Sequence, residues 1–227
     1  MPYLLLIETS TTLCSVGICK DGELLFSQEL NDGYAHAENL GKFIEQCLER
    51  ADITTSDLGA IAIGSGPGSY TGLRIGVSTA KGLAYATGVP LIAVPTMETM
   101  AAQPELTGFD GLLVPMIDAR RMEVYTAVFN AAGERIKQTE ALILDESSFG
   151  DYLAEEKMAF IGDGAAKFEA LIGEHPNASF FPGVYPSVAG MVANATLAYQ
   201  KRQFEDVAYY EPFYLKDFVA TTPKKRV

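Results

Sequence analysis

Gly64-Ser65-Gly66-Pro67-Gly68-Ser69-Tyr70-Thr71-Gly72-Leu73-Arg74-Ile75-Gly76 is the stretch on which the fold turns. Before it, Ala60-Ile61-Ala62-Ile63 has the length and apolar content of a buried strand. After it, residues 71 to about 87 read as a helix, and Pro90 opens a second apolar run, Leu91-Ile92-Ala93-Val94. Strand, glycine loop, helix and strand make one βαβ unit, so its two strands are expected to be parallel. Glycines at 64, 66 and 68 let backbone N–H groups converge, and the helix N-terminus behind them favours an anion. A tight turn backed by close helix packing accounts for the same residues equally well.

The helix carries a ridge of very small side chains, Gly72, Gly76, Ala80 and Ala84, one every four residues. An interior glycine costs about 1 kcal/mol relative to alanine. Gly76 and Gly82 therefore require a compensating gain, and close approach of another backbone supplies one. Three familiar motifs do not fit. A Walker loop needs Gly-Lys-Ser/Thr where Gly72-Leu73 stands. A dinucleotide fingerprint needs a glycine at Ser69 and an acid after the second strand. A serine nucleophile elbow at Ser69 needs glycines where Pro67 and Thr71 stand.

Working outward, residues 3–7 form an apolar strand ending in Glu8-Thr9-Ser10. Residues 14–20 and 23–29 are strands joined by the hairpin signal Asp21-Gly22. Residues 34 to about 51 form a helix with Leu40, Phe43, Ile44, Cys47 and Leu48 on one face. A short helix runs from Thr96 to the break at Gln103-Pro104. Near Gly111 the pattern restarts: strands over 112–117, 122–130 and 134–144, with Asp118-Ala119-Arg120 after the first and Ala132-Gly133 turning the last pair. Leu6-Ile7-Glu8-Thr9 is echoed by Met116-Ile117-Asp118-Ala119, and Ile63-Gly64-Ser65-Gly66 by Ile161-Gly162-Asp163-Gly164, in the same order. The chain therefore reads as a duplicated α/β module, residues 1–108 and 109–227, with mixed sheets flanked by helices and a reduced second half. In that half, 147–156 and 165–172 read as short helices, 174–186 as loop, 187–201 as a helix, and 209–218 as a partly extended aromatic tail.

Composition narrows the function. Lys and Arg number 17 against 29 Asp and Glu, a net charge of −12, which repels phosphates and argues against direct nucleic-acid binding. The basic cluster Lys224-Lys225-Arg226 reads as a solvated tail. No apolar run is long enough to span a membrane, and Met1-Pro2-Tyr3 lacks a signal peptide's basic start. Cys14, Cys19 and Cys47 make no CxxC pair and suit free thiols in the cytoplasm. No metal set is expected: His36 is followed four residues on by Leu40, and His175 stands alone before Pro176. His36 reads as an exposed residue in a first helical turn. Glu8 and Asp118 end equivalent strands. They read either as the remnant of a nucleotide cleft or as carboxylates bonding turn amides. Arg74 and Lys81, seven apart on one helix face, read as partner contacts or as solvated cations. Arg120-Arg121 reads as an anion site or a surface turn.

Two such modules resemble the actin, sugar kinase and Hsp70 class, with its ribonuclease H-like units. Within it the chain closely resembles the bacterial TsaB (YeaZ) family. The resemblance rests on Leu6-Ile7-Glu8-Thr9-Ser10, the loop-helix from Gly66 to Gly76, Asp118-Ala119-Arg120-Arg121-Met122-Glu123-Val124-Tyr125, and the tail Glu211-Pro212-Phe213-Tyr214-Leu215-Lys216. It implies a non-catalytic subunit of the machinery that makes threonylcarbamoyladenosine beside the tRNA anticodon. A TsaD-type partner would hold the metal and do the chemistry, a TsaE-type ATPase would assist, and ATP and magnesium would be used by the complex. No cofactor would bind tightly to this chain alone, and tRNA would be met only through the complex.

The resemblance also implies an interface built from the two helices 34–51 and 71–87. Its residues would be Leu40, Phe43, Ile44, Cys47, Gly72, Leu73, Gly76, Val77, Ala80 and Lys81, and the same face would form a homodimer when the partner is absent. Remnant nucleotide or anion contacts would be Glu8, Thr9, Ser10, Gly66, Gly68, Ser69, Arg74 and Asp118. Glu8 departs from the usual aspartate and Lys216 from the usual arginine. The extra methylene of Glu8 argues against direct magnesium-nucleotide binding. Two rivals share the fold: an independent small-molecule kinase or ATPase, and a glycoprotease-type peptidase. The eroded second half opposes the first, and the lack of any Ser-His-Asp or zinc set opposes the second.

Overall fold

The computed structural model describes residues 2–33 and 35–216. The hairpin dipeptide Asp21-Gly22 adopts positive φ at both residues, as a two-residue hairpin turn demands. It joins β2 (Leu13–Lys20) to β3 (Glu23–Asn31), and β2 pairs antiparallel with β1 (Tyr3–Glu8). The helix α1 (His36–Arg50) then leads to the βαβ unit of β4 (Leu58–Gly64), α2 (Tyr70–Thr87) and β5 (Leu91–Val94). Tyr34, the expected start of α1, lies outside the described residues. The strands β1, β4 and β5 are parallel, as the glycine-loop stretch predicts. Gly88, at φ 74°, ends α2 in the left-handed conformation.

The second module follows α3 (Thr96–Ala101) and repeats the plan. It comprises β6 (Leu112–Asp118), β7 (Glu123–Phe129), β8 (Arg135–Ile143), α4 (Gly150–Glu155), β9 (Met158–Ile161), α5 (Ala165–Ile172) and β10 (Ala178–Phe181), before α6 (Val188–Gln200) closes the helical part. The first sheet has the order β3-β2-β1-β4-β5 and the second β10-β9-β6-β7-β8, one read in the opposite direction to the other. The duplication thus holds strand for strand. The strand β10 falls within 174–186, expected as loop. Four half-buried residues between Pro176 and Pro182 carry too short a pattern to declare a strand, and pairing with β9 supplies what the local sequence lacks.

The split at 108/109 divides the sheets but not the helical layers. On the outer face of the first sheet, Ile7, Val16 and Ile63 pack against Leu40 and Ile44 of α1 and Val77 and Ala80 of α2. Its inner face, Leu4, Leu6 and Ile92, packs against Met191 and Ala195 of α6, which comes from the second half. In return, Met97 and Met100 of α3, from the first half, pack on the inner face of the second sheet. Helices α4 and α5 cover its outer face through Leu153 and Phe168. The middle layer is stapled by polar bonds. Ser187 Oγ donates to Gln103 Oε1 at 2.9 Å, and Gln103 Nε2 donates to Thr99 O at 3.0 Å. A Cβ on Gly190 would collide with Thr99 O, so glycine there permits the close crossing of α3 and α6.

Candidate functional site

The site forms where the turn after β1 meets the glycine loop and the start of α2. Ser69 caps α2, its Oγ accepting from Gly72 N at 3.3 Å. The ridge of small residues faces the β1 turn. A Cβ added to Gly72 would strike Thr9 O, and one on Gly76 would strike Thr9 Oγ1. Thr9 Oγ1 donates to Gly72 O at 2.9 Å, and Ser69 N donates to Ser10 O at 2.6 Å. A Cβ on Gly68 would overlap Ser10. The backbone that approaches α2 is therefore the chain's own residues 9 and 10.

This contact takes up space that an anion cradle would leave open. Ser65 N donates to Val94 O, Gly66 N to Thr96 Oγ1 at 3.1 Å, Ser69 N to Ser10 O and Gly72 N to the Ser69 cap. Four of the amides a phosphate could use are thus bonded within the protein. Glu8 is sealed as well. It is fully buried, its Oε1 accepts from Ser10 N at 2.7 Å, and a Cβ on Gly64 would land on its carboxylate. Burial pushes the Glu8 carboxyl up to about 7, against hydrogen bonds from Ser10 and Thr9 that lower it.

Asp118 occupies the equivalent turn and bonds in the same way, accepting from Arg120 N at 2.6 Å, but it is exposed and pairs with Lys167 at 2.6 Å. Both carboxylates thus bond turn amides, and only Asp118 reaches solvent. Arg120 and Arg121 sit at φ 70° and 52° in that turn. His36, expected at the surface, is buried, with Nε2 2.7 Å from Thr11 O, because the first turn of α1 abuts the strand leading into β2. His175 Nδ1 accepts from Asn177 N at 3.2 Å. Among the described residues, no group of three or more His, Cys, Asp or Glu is placed to hold a metal ion, and no helix is long and apolar enough to cross a membrane.

The outer side of the loop is covered by residues 205–216, a segment the sequence marks only by its aromatic tail. Phe213 N donates to Ser65 O at 2.8 Å. Arg74 stacks over Tyr70 at 4.1 Å and donates to Tyr214 Oη at 3.4 Å, and the Tyr70 and Tyr214 rings lie 5.2 Å apart. Lys81 Nζ donates to Tyr210 O at 2.8 Å and Ala208 O at 3.2 Å. Arg74 and Lys81 therefore grip the chain's own C-terminal segment. Residues 217–218 of the expected tail, and the cluster Lys224-Lys225-Arg226, lie outside the described residues.

The expected interface residues require a correction. Leu40, Ile44, Cys47, Val77 and Ala80 are buried in the core of the first sheet, Leu73 is buried beside Gly66 of the loop, and Gly72 and Gly76 are buried under Thr9. A single sheet face and one turn consume the whole ridge. Of that set, Phe43 and Lys81 remain half-buried. Two positions on the outward faces stand out instead: Gly41 of α1 and Gly82 of α2 are exposed, with nothing within 4 Å of an added Cβ.

Fold and site together define a two-module protein of the actin, sugar kinase and Hsp70 type whose glycine loop is closed by its own chain. The model of the TsaD family, tRNA N6-adenosine threonylcarbamoyltransferase, matches residues 33–224, and the chain belongs to that family. Within that family the chain is similar to proteins named TsaB and YeaZ. The tRNA threonylcarbamoyladenosine biosynthesis protein TsaB of Escherichia coli is 29% identical over 229 residues, covering 96% of each chain. The TsaB of Bacillus subtilis is 33% identical over 135 residues, which span 60% of this chain and 58% of that relative. The solved structure of YeaZ from Pseudomonas aeruginosa, 27% identical, superposes with a TM-score of 0.82 over 95% of this chain and all of the other.

Two outcomes test this geometry. Gly76→Ala should destabilise the protein by about 1–3 kcal/mol through collision with Thr9, whereas Gly82→Ala should stabilise it by up to about 1 kcal/mol; urea denaturation measures both. Glu8 titrates near 4.5 in the unfolded chain and near 7 in the fold, so the folded state binds the extra proton between those values. Its contribution to stability is complete below pH 4.5 and is lost as pH rises through 7. Glu8→Gln should therefore gain on wild type across that window, by up to about 3 kcal/mol at pH 8, measured as the difference between two stability–pH curves.

Proposed function

We propose that this chain is the scaffold subunit for threonylcarbamoyladenosine modification of the adenosine next to the tRNA anticodon, without catalytic activity of its own. The observation that carries this reading is the closed glycine loop. A phosphate-transfer member of the fold needs free loop amides and an accessible carboxylate. Here the amides at 65, 66, 69 and 72 are bonded internally and Glu8 is buried. A peptidase reading lacks a nucleophile paired with a base, since His36 is engaged with Thr11 and His175 with Asn177.

The chain acts by dimerising with a TsaD-type subunit of related fold, which supplies the metal site and the transfer chemistry, with a TsaE-type ATPase consuming ATP and magnesium in the complex. The outward faces of α1 and α2 form the contact. Gly41 and Gly82 each destabilise a helix by about 1 kcal/mol relative to alanine, and among the described residues nothing lies within 4 Å of a Cβ added at either. Glycines on two helices that both cover one sheet face suit close approach by a partner's helices. Half-buried Phe43 and Ile75 supply the apolar surround. The same face forms a homodimer when the partner is absent. The net charge of −12 leaves tRNA to the assembled complex, in the cytoplasm.

Gly82→Glu tests the reading without disturbing the core, since the position is open. Sedimentation should show a folded monomer whose affinity for the TsaD-type subunit, and for itself, falls about 100-fold or more, as expected for burying an unpaired charge. Modification of unmodified tRNA, reconstituted with both partners, ATP and a threonylcarbamoyl donor made from threonine and bicarbonate, should fall with it, and this chain alone, given the same donor, should modify none. Retained heterodimerisation by Gly82→Glu would move the interface elsewhere, and modification by the isolated chain would refute the scaffold role.

A further inference from the structure

The C-terminal segment 205–216 does more than cover the glycine loop. It starts at the edge of the first sheet, where Glu205 bridges to Leu91 and its N–H donates to Leu91 O at 2.8 Å. It then passes along α2, held by Lys81 at the carbonyls of Ala208 and Tyr210, and Val207 and Tyr210 pack on the core of the first sheet. At the loop, Phe213 bonds Ser65, and its carbonyl lies where a side chain on Gly66 would be. Gly66 at φ +99° is thus shaped around this segment. Beyond Tyr214 the segment leaves the first module. Lys216 Nζ binds both carboxylate oxygens of Glu123, the first residue of β7 in the second module.

The two modules are also joined by the middle layer of α3 and α6, which lies between the inner faces of the sheets. The segment makes its crossing elsewhere, at the strand ends that carry the Glu8 and Asp118 turns. Asp118 pairs across β6 and β7 with Val124, the neighbour of Glu123. One connection is thick and apolar. The other is a single irregular segment ending in an ion pair whose lysine is 47% exposed. Such a pair adds little binding energy and is readily exchanged. A firm join on one side and a weak, reversible one on the other is the arrangement of a hinge and a latch.

We propose that residues 205–216 are an intramolecular latch: anchored on the first module by Lys81, Arg74 and the Phe213–Ser65 bond, they hold the two modules together through Lys216 and Glu123, and release of that pair lets the modules separate about the α3–α6 layer. The latch occupies the side of the glycine loop left open by residues 9 and 10, so the chain's own backbone is the ligand of that face.

Charge reversal in the full chain tests this. In Lys216→Glu, hydrogen exchange at the Phe213 amide should quicken by about threefold or more, while amides of β1 and β4 stay protected. The double variant Lys216→Glu, Glu123→Lys should restore the wild-type rate, because the exchanged charges re-form the pair. Spin labels at Gln46→Cys on α1 and Glu169→Cys on α5 report the spacing of the modules, since Cys14, Cys19 and Cys47 are buried. The distance distribution should lengthen or broaden in Lys216→Glu and recover in the double variant. An unchanged Phe213 rate, failed restoration by the swapped pair, or an unchanged distance distribution in the released variant would each overturn the latch.

Discussion

The approach of the Thr9-Ser10 backbone to the start of α2 is the contact on which the rest of the molecule depends. It is possible only because Gly68, Gly72 and Gly76 present no side chains there. It sets the position of α2 on the sheet and draws Ser69 N onto Ser10 O. It also holds the turn that folds Glu8 back beneath Gly64. In a phosphate-binding protein, a glycine loop keeps such space for a ligand. Here main chain fills it from one side and residues 213–214 close it from the other.

The second module shows which parts of this arrangement are generic. The Asp118 turn reproduces the bond from carboxylate to the amide two residues on, and the glycine pair 162 and 164 again lies close to the preceding strand at Met116. What the second module lacks is a long small-residue helix, since α5 spans Ala165–Ile172 only. Its carboxylate stays in solvent and pairs with Lys167. The asymmetry follows from helix length and side-chain size rather than from topology. It leaves the first module as the more tightly closed of the two, and its outer helices free to present Gly41 and Gly82.

Much of this was legible in the residues. Apolar runs, the Asp21-Gly22 hairpin and the repeated strand-end motifs were enough to predict the duplicated sheets. The small ridge correctly announced a close backbone approach. Which backbone would come was not legible, because a turn 63 residues away leaves no periodic trace in the helix it touches. The buried state of Leu73 and Val77 was hidden for a related reason, since one apolar helix face can serve a sheet or a partner. The half-buried β10 and the return of α6 to the first sheet depend on long-range packing that local pattern does not encode. Glycines 41 and 82 carried a signal of a different kind: a local cost whose compensation is absent from the chain's own contacts.

The glycine loop serves internal packing. Amide NMR of the isolated chain, titrated with magnesium ATP, tests it most directly. The account predicts that Ser65, Gly66, Ser69 and Gly72 are protected from exchange before ATP is added and keep their shifts and rates at millimolar ATP. Fast exchange at these amides, with protection gained as ATP is added, would contradict it.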